Sequence, residues 1–287
     1  MSVVSMSISK RGERRRYLPL EIRLQMYNDV IKLRKQGLIY KEIQRRIYEK
    51  YGEQTSITQI SFWINKKHKP FRKINKFDGK PSRELSYIIG VILGDGCKSF
   101  TGKNYYLILE AKDKEFPKEF GKCLAKVLNR KEPYKPFWNK HEKRWRVVGF
   151  SILLYKFLDK PFEKLKPYIE YSKETVSAFL QAMFDGEGCI HVNKKRYRRE
   201  LTLHNTNKEL LNYVKYLLKK YFDINTTGPH LGEKKGKLRR FPDGRITKSS
   251  KDCYYIYVCT RSLLNYYKFI GFRIKRKQKR LIEAIKQ

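Results

Sequence analysis

The sequence predicts an α+β protein in which one unit of helices and strand pairs is written twice, behind a small all-α domain. Three observations predict it. Two apolar helix patterns, Tyr87 to Gly96 and Phe179 to Gly188, each end in an acid followed by glycine, with the terminal glycines 92 positions apart. The same succession of strand and helix patterns follows both. Ahead of them lie three short apolar stripes separated by turn signals, which suits a bundle of short helices.

Composition sets the class of partner. Of 287 residues, 66 are Lys or Arg and 28 are Asp or Glu, a net charge of +38 distributed along the whole chain. Such a surface repels itself unless it faces a polyanion, so nucleic acid is the expected partner. No apolar run reaches the length of a membrane span, and Met1 to Lys10 is too polar for a signal peptide. The five cysteines, Cys97, Cys123, Cys189, Cys253 and Cys259, form no metal-binding spacing. Reduced thiols and an intracellular location are expected, cytoplasmic or nucleoid-associated, or organellar in a eukaryote. Cys97 and Cys189 directly follow the two motif glycines, and filling a tight turn is their expected role.

Residues 1–16 read as a basic tail. Residues 17–70 carry the three stripes: Leu20, Leu24, Tyr27 and Ile31, stopped by Gly37; Ile39, Ile43 and Ile47, closed by Tyr51-Gly52; and Ile57, Ile60 and Ile64, opened by a capping box at Ser56-Ile-Thr-Gln59. The third helix would turn Thr58, Gln59, Ser61, Phe62 and Asn65 outward, and Lys66-Lys67-His68-Lys69 follows it. Any small bundle shows such stripes. The small polar outward face and the basic run resemble a helix-turn-helix, which implies Thr58, Gln59, Ser61 and Asn65 at bases with Lys66 and Lys67 at phosphates. Residues 71–82 read as a linker.

The first copy, 83–172, continues with a strand from Asn104 to Lys112, a helix with Phe116, Phe120, Leu124 and Val127 on one face, a strand alternating Arg144, Arg146 and Val148 with Trp145 and Val147, and a helix from Ser151. The second, 173–287, repeats this as strand 198–205, helix 208–222, strand 254–259 and helix 262–270. Lys114-Glu-Phe echoes Lys208-Glu-Leu, and Tyr155-Lys-Phe-Leu echoes Tyr267-Lys-Phe-Ile. The offset grows from 94 to 112 between those echoes, so the second copy holds an insertion, placed at Thr226 to Lys251. That stretch reads as a strand-loop-strand excursion or as a basic loop.

The paired motifs carry the chemistry. Small residues recur at i, i+4, Gly90 and Gly94 in one helix, Ala182 and Gly186 in the other. Glycine inside a helix costs about 1 kcal/mol relative to alanine, so close helix approach is the expected compensation. The acids Asp95 and Glu187 would then lie side by side near helix C-termini, an unfavourable arrangement unless a divalent cation or a shared proton offsets it.

At these residues the chain resembles the LAGLIDADG homing endonucleases, with the nine-letter signature on Ile88 to Gly96 and on Leu180 to Gly188. The resemblance covers about 205 residues, from 83 to the end. It implies two pseudo-symmetric αββαββα halves whose sheets form a DNA-binding saddle, and a double-strand break in duplex DNA that uses Mg²⁺ or Mn²⁺. It implies Asp95 and Glu187 as metal ligands, with Gly94 and Gly186 at the metal and a basic residue near each acid. Lys112 stands where single-chain relatives carry a lysine, while its counterpart Thr206 departs from the pattern. Lys98 and Lys275 are further candidates, although a lysine in so basic a chain also serves as a phosphate contact. Asp185 would cap, pair with a base, face the groove or join the metal. On the saddle, Arg144, Arg146, Arg198, Glu200, Thr202 and His204 are the candidates for DNA contact, with Leu201 and Leu203 turned inward.

Two halves in one chain predict a monomer. A start at Met1 and an end without the His-Asn of protein splicing argue against an intein and for an intron-encoded or free-standing origin. The alternatives are a maturase that binds intron RNA on the same saddle and a DNA-binding regulator built on a nuclease scaffold.

Overall fold

A computed structural model describes residues 18, 20–67, 77–101, 104–193, 198–240, 244 and 246–286. The basic tail, His68, Lys69 and the first half of the expected linker, 71–76, lie outside the described residues. The chain divides between residues 74 and 75 into two compact units.

In the first unit, α1 (Leu20–Lys35), α2 (Tyr40–Tyr51) and α3 (Ile57–Ile64) enclose a core of Met26, Val30, Ile43, Ile47, Ile60 and Trp63. The expected stripes are shifted at their edges. Helix α1 turns in through Met26 and Val30, with Ile22 and Tyr27 beside them, rather than through Ile31. Ile39 and Ile57 stand exposed at the helix starts, where no neighbouring turn covers them. Trp63, three residues after Ile60, takes the inward place and meets Tyr27 edge to face at 5.9 Å. Gly37 and Gly52 end their helices with positive φ, the conformation glycine tolerates best. Ser56 Oγ accepts from the Gln59 N–H at 3.1 Å, giving one arm of the capping box.

The second unit contains both copies. In the first copy, α4 (Arg83–Leu93), β1 (Gly96–Phe100), β2 (Tyr105–Ala111), α5 (Glu115–Val127), β3 (Phe137–Asn139), β4 (Arg144–Phe150), α6 (Ile152–Leu158) and α7 (Phe162–Ile169) follow in order. The second copy comprises α8 (Lys173–Glu187), β5 (Gly188–Asn193), β6 (Arg198–Asn205), α9 (Lys208–Phe222), β7 (Thr226–Glu233), β8 (Leu238–Arg240), β9 (Ile246–Lys248), β10 (Cys253–Val258), α10 (Leu263–Phe269) and α11 (Lys275–Ile285). The antiparallel sheets have orders β1-β2-β4-β3 and β5-β6-β10-β7, the same topology twice. The expected insertion lengthens β7 and adds the β8-β9 hairpin. Cys97 and Cys189 are strand residues exposed on β1 and β5 rather than turn fillers, because each strand begins at the motif glycine itself, and all five cysteines are free thiols. Among the described residues no helix is long and apolar enough to cross a membrane.

Helices α4 and α8 form the centre. Serines cap both: Ser82 Oγ accepts from the Leu85 N–H, and Ser172 makes a reciprocal box with Thr175. The Ser86 hydroxyl donates across the pair to the Thr175 carbonyl at 2.7 Å. The contact is nearly backbone to backbone. A Cβ on Gly90 would lie 2.8 Å from the Ala182 Cβ and 2.8 Å from the Phe179 carbonyl oxygen, so only glycine fits. One continuous apolar core runs from both helices under both sheets, with Leu107, Leu109 and Val147 in the first copy matched by Leu201, Leu203 and Ile256 in the second.

Candidate functional site

Close packing of α4 against α8 brings the two motif ends to one place. A Cβ on Gly186 would sit 2.7 Å from Asp95 Oδ2, and one on Gly94 would sit 3.7 Å from Glu187 Cδ. Each carboxylate therefore lies over the other motif's glycine. The return from helix to strand is equally tight, since a Cβ on Gly96 or Gly188 would press on the carbonyl of Val91 or Phe184.

The copies are not identical. Helix α4 stops at Leu93, and Asp95 occupies the following turn; α8 stays helical through Glu187. Burial raises Asp95 above the ordinary aspartate range, and the charges of Lys277 and Arg144 partly offset it. Burial raises Glu187 to about 7, with the charge of Asp95 adding to the rise and a bond from Asn205 opposing it. Asn205 Nδ2 donates to Glu187 Oε2 at 2.5 Å. Among the described residues neither carboxylate is in an ion pair. Two desolvated hard-oxygen donors without a bound counter-charge are a donor set that fits a divalent cation.

Asp185 turns away from this spot. It is buried, accepts from the Tyr87 hydroxyl at 2.9 Å and from the Arg273 and Ile274 N–H groups at 3.0 and 3.4 Å, and burial raises it to about 7. Lys277, at the head of α11, lays its ammonium on the carbonyls of Phe184, Asp185 and Gly186 at 3.0, 2.6 and 3.3 Å. It thereby satisfies the carbonyls that end α8, including that of Gly186. The Arg273 guanidinium stacks on the Tyr87 ring at 3.9 Å and its Nε donates to Gln181 Oε1 at 2.6 Å. A buried polar node thus fixes the second motif helix.

The expected lysines fall differently. Lys98 is not brought to the acids: paired with Leu107, it points to the helix side of the sheet, where its ammonium meets Asp159 at 2.6 Å and the Leu158 carbonyl at 3.1 Å. Lys275 is exposed, and it is the backbone N–H of that residue that donates to Glu115. Two residues on, Lys277 is the member of that basic run whose charge reaches Asp95. Lys112 is exposed just past β2, one row beyond Glu110, whose partner Arg146 lies at 3.2 Å in an ion pair without hydrogen-bond alignment. Arg144, beginning β4, is the other charge felt by Asp95.

On the second sheet Arg198, Glu200, Thr202 and His204 share one face, as expected. They line an open groove of about 480 Å³ together with Thr227, His230, Tyr255 and Tyr257. Arg198 pairs with Glu200 at 2.6 Å, and His204 stacks on Tyr255 at 5.4 Å. In the first unit Thr58, Gln59, Asn65, Lys66 and Lys67 are exposed and Ser61 half-buried, with the Asn65 amide donating to Ser61 Oγ at 3.2 Å.

Residues 174–271 match the family model of a LAGLIDADG-like domain. The chain is 34% identical over 262 residues to the uncharacterized protein MJ0398 of Methanocaldococcus jannaschii, covering 90% of this chain and 92% of that one. It belongs to the LAGLIDADG family. A second relative from the same organism, the uncharacterized protein MJ0314, is 30% identical over 52% of this chain and 58% of its own. Among solved structures, I-DmoI in complex with DNA and Mn is 19% identical, with a TM-score of 0.47 over 67% of this chain and 97% of that one. I-WcaI bound to its DNA recognition sequence is 16% identical, with a TM-score of 0.44 over 74% and 92%. The family model covers the second copy, and the glycine contacts between α4 and α8 tie the first copy to it as a LAGLIDADG half.

The signals that sequence reading missed are partly visible in retrospect. Lys277, Leu281 and Ala284 recur at i, i+4, i+7 and are the buried stripe of α11, so a lysine at the head of that helix was readable as inward-facing. Asn205 had no such mark, because its partner Glu187 lies 18 residues away and only strand register brings them together.

Proposed function

We propose that this LAGLIDADG protein is a site-specific endonuclease of the homing type that makes a double-strand break in duplex DNA with a divalent cation, Mg²⁺ or Mn²⁺. The observation that supports the reading is the convergence of Asp95 and Glu187 on each other's glycine, desolvated and free of ion pairs among the described residues. A fold selected for stability or for DNA affinity alone would gain from replacing either acid. The two acids would hold the cation, which supplies charge neutralisation at the phosphate and activation of the attacking water.

The chain's own residues perform the rest. Gly94 and Gly186 provide the space in which both carboxylates fit, and Asn205 orients Glu187. Lys277 anchors the last turn of α8 and places positive charge toward Asp95, so it acts as a positioning residue. Arg144 and Lys112, at the strand ends, would hold a phosphate oxygen, and one acid per copy would give each strand its own site. The outward faces of both sheets lie along a DNA groove, with the high positive charge neutralising the backbone. In the first unit α3 enters a second stretch of major groove, with Thr58, Gln59, Ser61 and Asn65 at bases and Lys66 and Lys67 at phosphates.

The test is cleavage of a randomised duplex library with Mg²⁺, or with chelator, and sequencing of the cut ends. One long, lightly degenerate site cut only with the cation is expected. Tight binding to duplex DNA without cutting would replace this reading by the regulator, and preference for structured RNA would replace it by the maturase. Removal of residues 1–75 should shorten the footprint and leave the cutting position unchanged; an unchanged footprint would reject the DNA-reading role of α3.

A further inference from the structure

The two sheets share topology and register, so equivalent positions on their outward faces can be compared row by row. Motif glycine Gly96 pairs with Leu109 and Leu109 with Val147; Gly188 pairs with Leu203 and Leu203 with Ile256. The neighbouring outward row is Cys97, Ile108 and Val148 in the first sheet and Cys189, Thr202 and Tyr257 in the second. One row further from the acids, Tyr106 faces Phe150 with ring centroids 5.0 Å apart, where the second sheet carries Glu200 on β6. In these two rows the first face is thus aliphatic and aromatic where the second carries carboxylate, hydroxyl and phenol; on the acid side both faces are polar, with Glu110 and Arg146 on the first at the places of His204 and Tyr255 on the second.

This is not a core in waiting. Leu107, Leu109 and Val147, on the opposite side of the same strands, are fully buried, whereas Ile108, Val148 and Tyr106 are only partly covered and Phe150 is 46% exposed. A row of partly exposed apolar side chains on a strand face, beside Arg144 and Arg146, has a surface that attracts a polyanion and contacts it through apolar groups. In the major groove one base presents such a group: the C5 methyl of thymine.

We infer that the two sheets read chemically different half-sites, the first contacting thymine methyl groups through Ile108, Val148, Tyr106 and Phe150 and the second reading hydrogen-bonding base edges through Glu200, Thr202, His204 and Tyr257. The inference rests on the DNA-reading role proposed above for the sheets. It assigns a thymine-rich sequence to the half-site under the first sheet. Ile108 and Val148 are specificity-determining residues, and they take no part in holding the acids.

The experiment is a binding selection with the full chain on a randomised duplex library in Ca²⁺. Deoxyuridine is then substituted for thymidine in one half of the selected site at a time, with affinity read by fluorescence anisotropy. Deoxyuridine lacks only the 5-methyl group. Each contacted methyl lost under the first sheet should weaken binding about fourfold, the equivalent of about 0.8 kcal/mol of apolar burial. The same change in the other half should leave affinity within a factor of two. Val148→Thr and Ile108→Asn should each relax the base preference in the thymine-rich half alone. A selected site whose two halves respond equally to deoxyuridine, or not at all, overturns the inference while leaving the site-specific reading in place. A chain that binds duplex DNA and selects no sequence overturns both.

Discussion

The two copies of the LAGLIDADG unit agree where they touch each other and differ where they face outward. At the shared helix pair Gly90 packs on Ala182, and each acid lies on the other copy's glycine. Away from that contact the partners diverge. Glu187 ends a continuous helix, is held by Asn205 and stands behind the Lys277 clamp, whereas Asp95 sits in a turn and is reached by Lys277 and Arg144 only through their charge. The difference teaches that the fold constrains the acids' position through backbone contact and leaves their electrostatic surroundings free to differ. The strongest test is to remove the acids one at a time. Asp95→Asn and Glu187→Gln should each reduce double-strand cleavage at least a hundredfold, because in the proposed function each acid is an anionic donor to the cation. DNA affinity should stay equal or rise, since a negative charge near phosphate is lost. Undiminished linearisation of a supercoiled target by either variant would show that the acids are not equivalent parts of one site.

The shared contact can be strained without touching either acid. Gly186→Ala places a methyl 2.7 Å from Asp95 Oδ2 and Gly90→Ala places one 2.8 Å from the Ala182 Cβ, distances that force a shift. The Gly90 variant is expected to lose about 1–3 kcal/mol of stability, as overpacked cores do. The Gly186 variant should lose less, because a carboxylate can move where backbone cannot, but its cleavage should fall tenfold or more as Asp95 is displaced. Equal melting temperatures for Gly90→Ala and the unsubstituted chain would mean that the helices separate more readily than this packing requires.

These two tests also mark what was legible in the sequence. Symmetry was legible, because Gly90, Gly94, Ala182 and Gly186 at matching spacing have one economical explanation, close approach of two helices. The sheets were legible through period-two alternation, as at Leu201 and Leu203. What could not be read was the set of partners chosen by long-range register. Lys98 looked suited to the acid three residues before it, yet strand pairing with Leu107 turns it to Asp159, 61 residues away. For Asp185 a cap, a base contact, the groove and the metal all stood open, and only register selects among them: it is the buried acceptor that joins Tyr87 to the N–H groups of Arg273 and Ile274 ahead of α11. In the first unit the error was one of phase: Trp63 rather than Ile57 completes the core, since an apolar residue in the first turn of a short helix has no turn before it to pack against.

Asymmetry in the support of the two helices predicts a smaller effect. Lys277→Met keeps the length and apolar stem of the side chain and removes the ammonium from the carbonyls of Phe184, Asp185 and Gly186. Three carbonyls lose a donor, and Asp185 and Asp95 lose a nearby positive charge, so a loss of about 1–3 kcal/mol is expected. Hydrogen exchange should locate the loss in the last turn of α8 rather than in α4. Uniformly faster exchange in both helices would remove the distinction between a clamped and an unclamped copy.

The smallest effect concerns pH, and its sign follows from Glu187. Folding raises this carboxyl from 4.5 to about 7, so the folded chain holds its proton more tightly than the unfolded chain does. Below pH 4.5 both states are protonated and the group is neutral to stability. Between 4.5 and 7 the unfolded chain ionises first, and stability falls as pH rises; above 7 the full penalty of two desolvated carboxylates is present. A divalent cation relieves that penalty only where the acids are ionised. Mg²⁺ should therefore raise the melting temperature at pH 8 and leave it unchanged at pH 4. Glu187→Gln, without added cation, should melt higher than the unsubstituted chain at pH 8 by roughly 2–4 °C for each kcal/mol regained, and equally at pH 4. If the variant melts lower at pH 8, Glu187 is stabilising as an anion.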